Sequence, residues 1–393
     1  MPVRKELAIL FAVLLAGLAT TGCSPGRGIE AALVLGDVAA GDGASLYKHL
    51  KDEPLRVPVS YVVEGRSRRG DLYRPGDGAS AAALVLVPGV APAGRDDRRL
   101  VAFARTLARA GFLVLVPDIG NLRRLKVSPE DAIDIADAVR HLATRVPPAD
   151  GGSVGLVGIS YAAGPALIAA SGDAGRDLRF LLAVGGYYDM TALVTYLITG
   201  FYRSAPDAPW QRGHPNEYGK WLFLDNNAAL VPDPRDRMLL SAMAARKRRD
   251  PAAGIGDLVA ALGPEGRSVH ALLDNRDPER VPALIAMMPE TVRRRMAALD
   301  PSRRSLATLG PRLILIHGRD DPVIPWTESA MLAAAAPPGK AALFFADSLA
   351  HVDLGPSSPG DALELWRAVC RLLAERDAMP APAVTAAGSG AGG

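Results

Sequence analysis

The chain has 393 residues, of which 49% are hydrophobic and 22% charged, and its formal net charge at pH 7 is +3. This composition is typical of a folded globular protein and excludes disorder along the whole chain. Because the net charge is small, it gives no indication of nucleic acid as a partner. The length allows one large α/β domain with an insertion, or two to three smaller domains.

The first residues have the pattern of an export signal. A basic pair, Arg4 and Lys5, is followed by a short apolar stretch over 7–18 and by small residues before Cys23. The stretch is too short for a stable membrane-spanning helix, so we interpret residues 1–22 as a signal peptide.

The end of this segment also predicts a lipid anchor. Residues 18–23, Leu-Ala-Thr-Thr-Gly-Cys, resemble a bacterial lipoprotein signal. The resemblance implies that Cys23 is lipidated, becomes the mature N-terminus and holds the protein on a membrane of the bacterial cell envelope. An ordinary signal peptide, giving a soluble periplasmic or secreted protein, is the alternative. The other cysteine, Cys370, is interpreted as a buried structural thiol on a late helix, and a disulfide with Cys23 is not expected.

The predicted elements begin with a linker and a hairpin. Residues 23–55 are rich in Gly, Ala and Asp, and we interpret them as the link between the anchor and the domain. Alternating residues over 57–63 and 70–73 predict an antiparallel hairpin at a sheet edge. Four continuous apolar runs follow, as is typical of parallel strands buried on both faces. They cover residues 82–87, 112–116, 154–158 and 180–184.

Helical patterns lie between these runs. One helix is predicted to start at Ser128, Pro129 and Asp131, which suit the N-cap, first and third helical positions. The alternation stops after Asp189, and residues 190–305 show helical patterns without a convincing strand.

The alternation returns with strands predicted at 313–316 and 342–345 and a last helix over 361–375. We therefore predict a split α/β core over 56–189 and 306–377, interrupted by a helical cap over 190–305. The end of the chain, 378–393, is rich in Pro, Ala, Gly and Ser and is predicted to be disordered.

The decisive motif lies where the run over 154–158 ends. The strand leads into residues 158–162, Gly-Ile-Ser-Tyr-Ala, and a helix of small residues follows. Such a sharp turn needs small residues on both sides of the serine, and Gly158 and Ala162 meet this need. Here the chain resembles the α/β-hydrolase-fold serine hydrolases, whose usual motif ends in Gly instead of Ala162. The resemblance implies that Ser160 is the nucleophile and that the core is a mostly parallel sheet flanked by helices.

One further segment supports the same resemblance. The strand over 82–87 leads into Pro88-Gly89-Val90, and in the family this loop donates one oxyanion-hole N–H. The residue after the nucleophile donates the other, so the resemblance implies the backbone amides of Val90 and Tyr161. Family members often have His-Gly where this chain has Pro-Gly.

The remaining two catalytic positions come late in the chain, in the order that this fold requires. The Gly-x-x-Asp spacing after the strand over 313–316 selects Asp321 over Asp320 as the acid, and His351 follows the last predicted strand as the base. Asp189, at the end of an earlier strand, is an alternative acid. His317 is interpreted as structural.

The predicted reaction is hydrolysis of a small-molecule ester or related acyl substrate through an acyl-enzyme, with no metal or organic cofactor. A peptidase, thioesterase, lipase or acyltransferase could use the same triad. A lipoprotein that uses the fold only for binding is the alternative of another class. The sequence leaves the oligomeric state and the substrate open.

Overall fold

The computed structural model describes residues 23–355 and 357–382. The predicted signal peptide and residues 383–393 of the predicted disordered tail therefore lie outside the described residues. Within them the strands are β1 Leu55–Val63, β2 Arg66–Arg74, β3 Ala82–Val87, β4 Phe112–Pro117, β5 Val154–Ile159, β6 Leu178–Val184, β7 Phe201–Tyr202, β8 Gln211–Arg212, β9 Arg312–His317, β10 Ala341–Phe345, β11 Leu349–Ala350 and β12 Asp353–Leu354.

The α-helices of the described residues are α1 Pro25–Ala40, α2 Leu46–Leu50, α3 Arg98–Arg109, α4 Gly120–Arg123, α5 Glu130–Ala143, α6 Ala163–Ala170, α7 Met190–Thr199, α8 Glu217–Asn227, α9 Pro234–Arg249, α10 Gly256–Ala261, α11 Pro264–Leu273, α12 Val281–Ala286, α13 Glu290–Ala298, α14 Thr327–Ala335 and α15 Pro359–Asp377. Short 3-10 turns connect several of them. No helix in this part of the chain is long and apolar enough to cross a membrane.

Eight strands form the central sheet, in the order β1-β2-β4-β3-β5-β6-β9-β10. β2 pairs antiparallel with both β1 and β4, and the other neighbours pair parallel. β3 and β4 are buried along their whole length, as the continuous apolar runs predicted. This order and these directions are those of the α/β-hydrolase fold, and the predicted fold class is confirmed.

Helices cover both faces of the sheet. α5 and α6 pack on one face through residues such as Ile135, Leu142 and Leu167. α1, α3 and α15 pack on the other, where Leu107 and Trp366 are buried. Because β3, β5, β6, β9 and β10 are parallel, the loops after them meet at one edge of the sheet. The candidate site lies in those loops.

The insertion over 190–305 is mainly helical, as predicted, and has a hydrophobic cluster of its own that includes Leu240, Met243 and Val281. The expectation of no strand was wrong in one detail, because β7 and β8 form a two-residue antiparallel pair. Gly200, at φ 78°, ends α7 and turns the chain into β7. Two residues are too few to produce a visible alternation in the sequence.

The segment interpreted as a linker, 23–55, is folded instead. It forms α1 and α2, and Ala31, Val34 and Tyr47 are buried in the core. The small residues that suggested a flexible linker allow close packing here: a Cβ on Gly28 would lie 3.1 Å from the ring of Trp366. Trp366 Nε1 also donates to the Gly28 carbonyl at 2.8 Å.

The two cysteines lie close together, where the residues before α1 contact α15. Cys370 is buried, as predicted, and its Sγ lies 2.8 Å from that of Cys23, although both are free thiols. Burial raises the pKa of the Cys370 thiol well above its usual range, and the neighbouring Cys23 adds to the effect. The boundary at 378 was placed too early, since Met379 is still buried against the core.

Candidate active site

Ser160 lies in a strained turn between β5 and α6. Its φ of 57° is in the left-handed region, which residues other than glycine rarely adopt. Small neighbours make the turn possible, because a Cβ on Gly158 would come within 2.8 Å of Ala163 Cα and Ala162 is completely buried. The strand, the turn and the helix thus hold the Ser160 hydroxyl at the sheet edge where the loops meet.

His351 connects Ser160 to Asp321. Its Nε2 lies 2.7 Å from Ser160 Oγ, and its Nδ1 lies 2.8 Å from Asp321 Oδ2. An ionised carboxylate only accepts hydrogen bonds, so Nδ1 carries the proton and Nε2 accepts the Ser160 hydroxyl. The structure therefore brings all three predicted side chains into one hydrogen-bonded series.

The two neighbouring acids of the loop after β9 lie in different environments. Asp321 is buried, and its Oδ1 accepts the backbone N–H groups of Val323 and Ile324 at 2.7 and 2.9 Å. Asp320 is exposed. Burial alone opposes ionisation of Asp321, but hydrogen bonds from His317 and His351 outweigh it and hold its pKa well below the usual range. Asp321 is thus a fixed negative charge beside His351.

Gly318 brings the acid loop against the histidine loop. A Cβ at this position would lie 1.9 Å from the Leu349 carbonyl oxygen, so only glycine allows the approach. On the other side, a Cβ on Gly185 would lie 3.1 Å from the carbonyl oxygen of His351. Three loops, after β6, β9 and β10, are therefore in direct backbone contact around the imidazole.

His317 holds the acid loop in place through contacts of both its ring nitrogens. It is fully buried, its Nε2 donates to the Ile324 carbonyl at 2.9 Å, and its Nδ1 accepts the Ser329 hydroxyl at 2.7 Å. Its Nε2 also lies 3.5 Å from Asp321 Oδ2. The structural interpretation of His317 agrees with these contacts, but no pattern in the sequence indicated that it adjoins the acid.

The two amides predicted for the oxyanion hole belong to segments that adjoin Ser160. Tyr161 follows Ser160 directly, and the loop after β3 passes close by, since a Cβ on Gly89 would lie 3.4 Å from Ser160 Cβ. Neither the Tyr161 nor the Val90 N–H donates to a backbone carbonyl within residues 23–355 and 357–382. Within the described residues, both N–H groups are therefore free of backbone acceptors.

Asp189, the alternative acid, caps a helix. Its Oδ1 accepts the N–H groups of Thr191 and Ala192, at 2.8 and 3.0 Å, at the start of α7. The carboxylate that is hydrogen-bonded to His351 is that of Asp321.

Sequence reasoning missed Glu328, which stabilises the loop after β6. This side chain is fully buried, and its Oε2 accepts the N–H groups of Tyr188 and Asp189, both at 2.7 Å. Burial raises the pKa of Glu328 to about 8, and the nearby Asp189 and Asp300 contribute to the same effect. Its only signal in the sequence is an acid in the first turn of α14, a position that is usually exposed.

No protein-family model matches the sequence, and the search of curated proteins gave no match. Solved structures that resemble the chain share little of its sequence. A hyperthermophilic esterase from the archaeon Pyrobaculum calidifontis is 14% identical, with 90% of this chain and 88% of that chain covered and a TM-score of 0.43. The esterase domain of a Rhodothermus marinus protein is 15% identical, with 82% and 99% covered and a TM-score of 0.41.

A third similar structure is a 2,6-dihydroxy-pseudo-oxynicotine hydrolase, 13% identical, with 83% of this chain and 68% of that chain covered and a TM-score of 0.43. At this level of similarity substrate chemistry does not carry over from one protein to another. In such a fold, function is determined by the residues of the site itself.

Proposed function

We propose that this chain is a serine hydrolase that cleaves carboxylic esters or related acyl substrates through an acyl-enzyme. One observation carries the proposal: Ser160, strained at φ 57°, is hydrogen-bonded to His351, which is hydrogen-bonded in turn to the buried Asp321. A serine without a base is a weak nucleophile, and this geometry supplies both a base and a group that orients it.

The roles follow from the atoms involved. His351 Nε2 removes the proton from Ser160 Oγ as the oxygen attacks the substrate carbonyl, and Asp321 stabilises the imidazolium that forms. The N–H groups of Val90 and Tyr161 stabilise the oxyanion of the tetrahedral intermediate. His351 then protonates the leaving alcohol. In the second half of the reaction, His351 takes a proton from water as the water attacks the acyl-enzyme. The bond to Ser160 Oγ then breaks, His351 returns the proton to this oxygen, and the acid is released.

A panel of substrates with different acyl bonds would identify the type of bond that is cleaved. A peptidase, thioesterase, lipase or acyltransferase would use the same three side chains with a different leaving group or acceptor. A binding lipoprotein without catalysis is the alternative of another class, and it requires no reactive serine. The hydrogen bond between His351 and Ser160 favours an enzyme.

Replacement of the nucleophile tests the proposal. Ser160→Ala should leave a folded protein that no longer hydrolyses short p-nitrophenyl esters, because the attacking oxygen is gone. Ser171→Ala is the matched control, since Ser171 lies beyond the end of α6 and donates only to the Leu167 carbonyl. Near wild-type turnover in Ser160→Ala would overturn the assignment of the nucleophile.

We also propose that the protein is exported and anchored to a bacterial envelope membrane through a lipid on Cys23. A sulfur that carries a lipid cannot remain 2.8 Å from Cys370 Sγ, so anchoring requires Cys23 to move away from α15. Only Ser24 separates Cys23 from the start of α1, so the movement involves the very end of the described chain.

A further inference from the structure

A closed hydrogen-bond network lies behind the nucleophile. Asp131, in the first turn of α5, is completely buried, and its Oδ2 accepts the Ser128 N–H at 2.9 Å and the Tyr161 hydroxyl at 3.1 Å. Its Oδ1 accepts Asn121 Nδ2 at 3.0 Å. The Tyr161 oxygen also accepts the Ser128 N–H, at 3.2 Å. Three donors from three parts of the chain thus converge on one carboxylate.

The Tyr161 ring is held on its face as well as at its tip. It stacks on Tyr187, with ring centroids 5.9 Å apart and an interplanar angle of 22°. Tyr187 is itself fixed, because its hydroxyl donates to the Leu299 carbonyl at 2.7 Å. A side chain held at both places restrains the Cα of its own residue and therefore the direction of the attached N–H.

That N–H belongs to the residue directly after Ser160. We propose that Asp131 is a positioning residue for the reaction: by holding the Tyr161 phenol, it keeps the Tyr161 amide directed at the oxyanion. The inference rests on the proposed function, and it names a side chain that never contacts the substrate.

The charge of Asp131 gives the restraint its strength. Burial raises the pKa of Asp131 to about 6, and its hydrogen bonds with Asn121, Ser128 and Tyr161 partly offset the rise. The group is therefore ionised at neutral pH, and a hydrogen bond to an ionised acceptor is roughly twice as strong as a neutral one. The N-cap predicted at Ser128 is not formed, because Pro129 holds the N-cap position of α5 and no side-chain hydrogen bond caps the helix there.

The segment that carries this network also contacts the helical insertion over 190–305. Arg295, on α13, donates through Nε and Nη2 to the Val127 carbonyl at 3.3 and 3.2 Å, and Val127 immediately precedes Ser128. The helical insertion and the turn that contains Ser160 and Tyr161 are thus both hydrogen-bonded to the segment of Val127 and Ser128.

The test is a double-mutant cycle on the full chain with Asp131→Asn and Tyr161→Phe. The asparagine carries a single acceptor oxygen and cannot serve Asn121, Ser128 and Tyr161 together, whereas the phenylalanine removes only the hydroxyl. We expect each change to lower kcat on a p-nitrophenyl ester by on the order of ten- to a hundredfold, less than the loss of an oxyanion donor itself. KM should change far less, and the double variant should be no slower than the slower single variant.

The experiment separates the effect of each variant on folding from its effect on the catalytic rate. Rates are measured well below each melting temperature and divided by the number of sites that a fluorophosphonate labels. Asp137→Asn is the matched control, since Asp137 is another buried acid of α5, pairs with Arg66 and Arg68, and should lower stability without lowering kcat per labelled site.

Three outcomes bear on the proposal. An unchanged kcat per labelled site in Tyr161→Phe overturns it, even if Asp131→Asn fails to fold. Fully additive losses in the double variant also overturn it, because the two residues would then act independently. A wild-type protein that neither labels nor hydrolyses esters refutes the proposed function instead, before either variant is made.

Discussion

Asp320 is exposed and its neighbour Asp321 is buried, and from this difference we predict different effects of their replacement. Asp321→Asn should lower turnover by roughly 10⁴-fold, because an amide in place of the carboxylate favours the wrong imidazole tautomer. Asp320→Asn, at an exposed position, should cost far less. Ester hydrolysis by purified Asp321→Asn, Asp320→Asn and Asp189→Asn is the measurement. A severe loss only in Asp320→Asn, or only in Asp189→Asn, would assign the acid elsewhere.

Individual residues differ in how well the sequence predicted their place. Ser160, Asp321 and His351 sit at loop positions that are fixed by motif and chain order, so the sequence was enough to select them. Asp131 and Glu328 act through partners 30 and about 140 positions away. No local pattern reports such contacts, and an acid in a first helical turn is normally exposed.

Among the elements, the loops after β9 and β10 depend on the absence of a side chain at Gly318. Gly318→Ala should push the His351 loop away from Asp321, because the new Cβ meets the rigid Leu349 carbonyl. We expect a loss of at least tenfold in ester turnover, larger than any loss of folded protein. Gly256→Ala, at the start of α10 where a Cβ meets nothing within 4 Å, is the control and should keep wild-type turnover.

α14 contributes a buried acid that should make stability depend on pH. The folded chain keeps the Glu328 proton up to about pH 8, whereas an unfolded glutamate releases it near 4.5. The folded state therefore binds the proton more tightly, and the stability that this gives is lost as the pH rises through this window. Asp189 and Asp300 face the same group and increase the effect.

Glu328→Gln removes this titration but keeps an acceptor for the two amides. Its melting temperature should be close to that of the wild type at pH 5 and higher than that of the wild type at pH 9. Thermal melts from pH 5 to pH 9 check this, with the exposed Glu290→Gln as control. Parallel curves for the wild type and Glu328→Gln would contradict the account.

The strands were easier to predict than the segments that join them to the rest of the fold. Continuous apolar runs marked β3 to β6 and β9 because these strands are buried by helices on both faces. The Gly- and Ala-rich stretch of α1 was misread, since small residues suit a flexible linker and a tightly packed helix equally well. Contacts with distant parts of the chain, such as the hydrogen bond from Trp366, distinguish the two.

For the whole molecule, the fate of Cys23 decides where the protein is located. If Cys23 is lipidated, the mature protein should gain mass, begin at this residue and sediment with membranes, because two or more acyl chains anchor stably. Cys23→Ala should abolish the mass gain and release the protein into the soluble fraction. Intact-mass spectrometry distinguishes this result from an unmodified Cys23 or a disulfide with Cys370, either of which would contradict the anchor.

The proposed mechanism depends on a reactive serine in the turn after β5. The most direct measurement is labelling of the full-length protein with a fluorophosphonate, followed by mapping of the modified residue by mass spectrometry. We predict a single adduct on Ser160 that is absent from Ser160→Ala and slow to form in His351→Ala. No adduct in folded wild-type protein, or an adduct on another serine, would contradict the central claim.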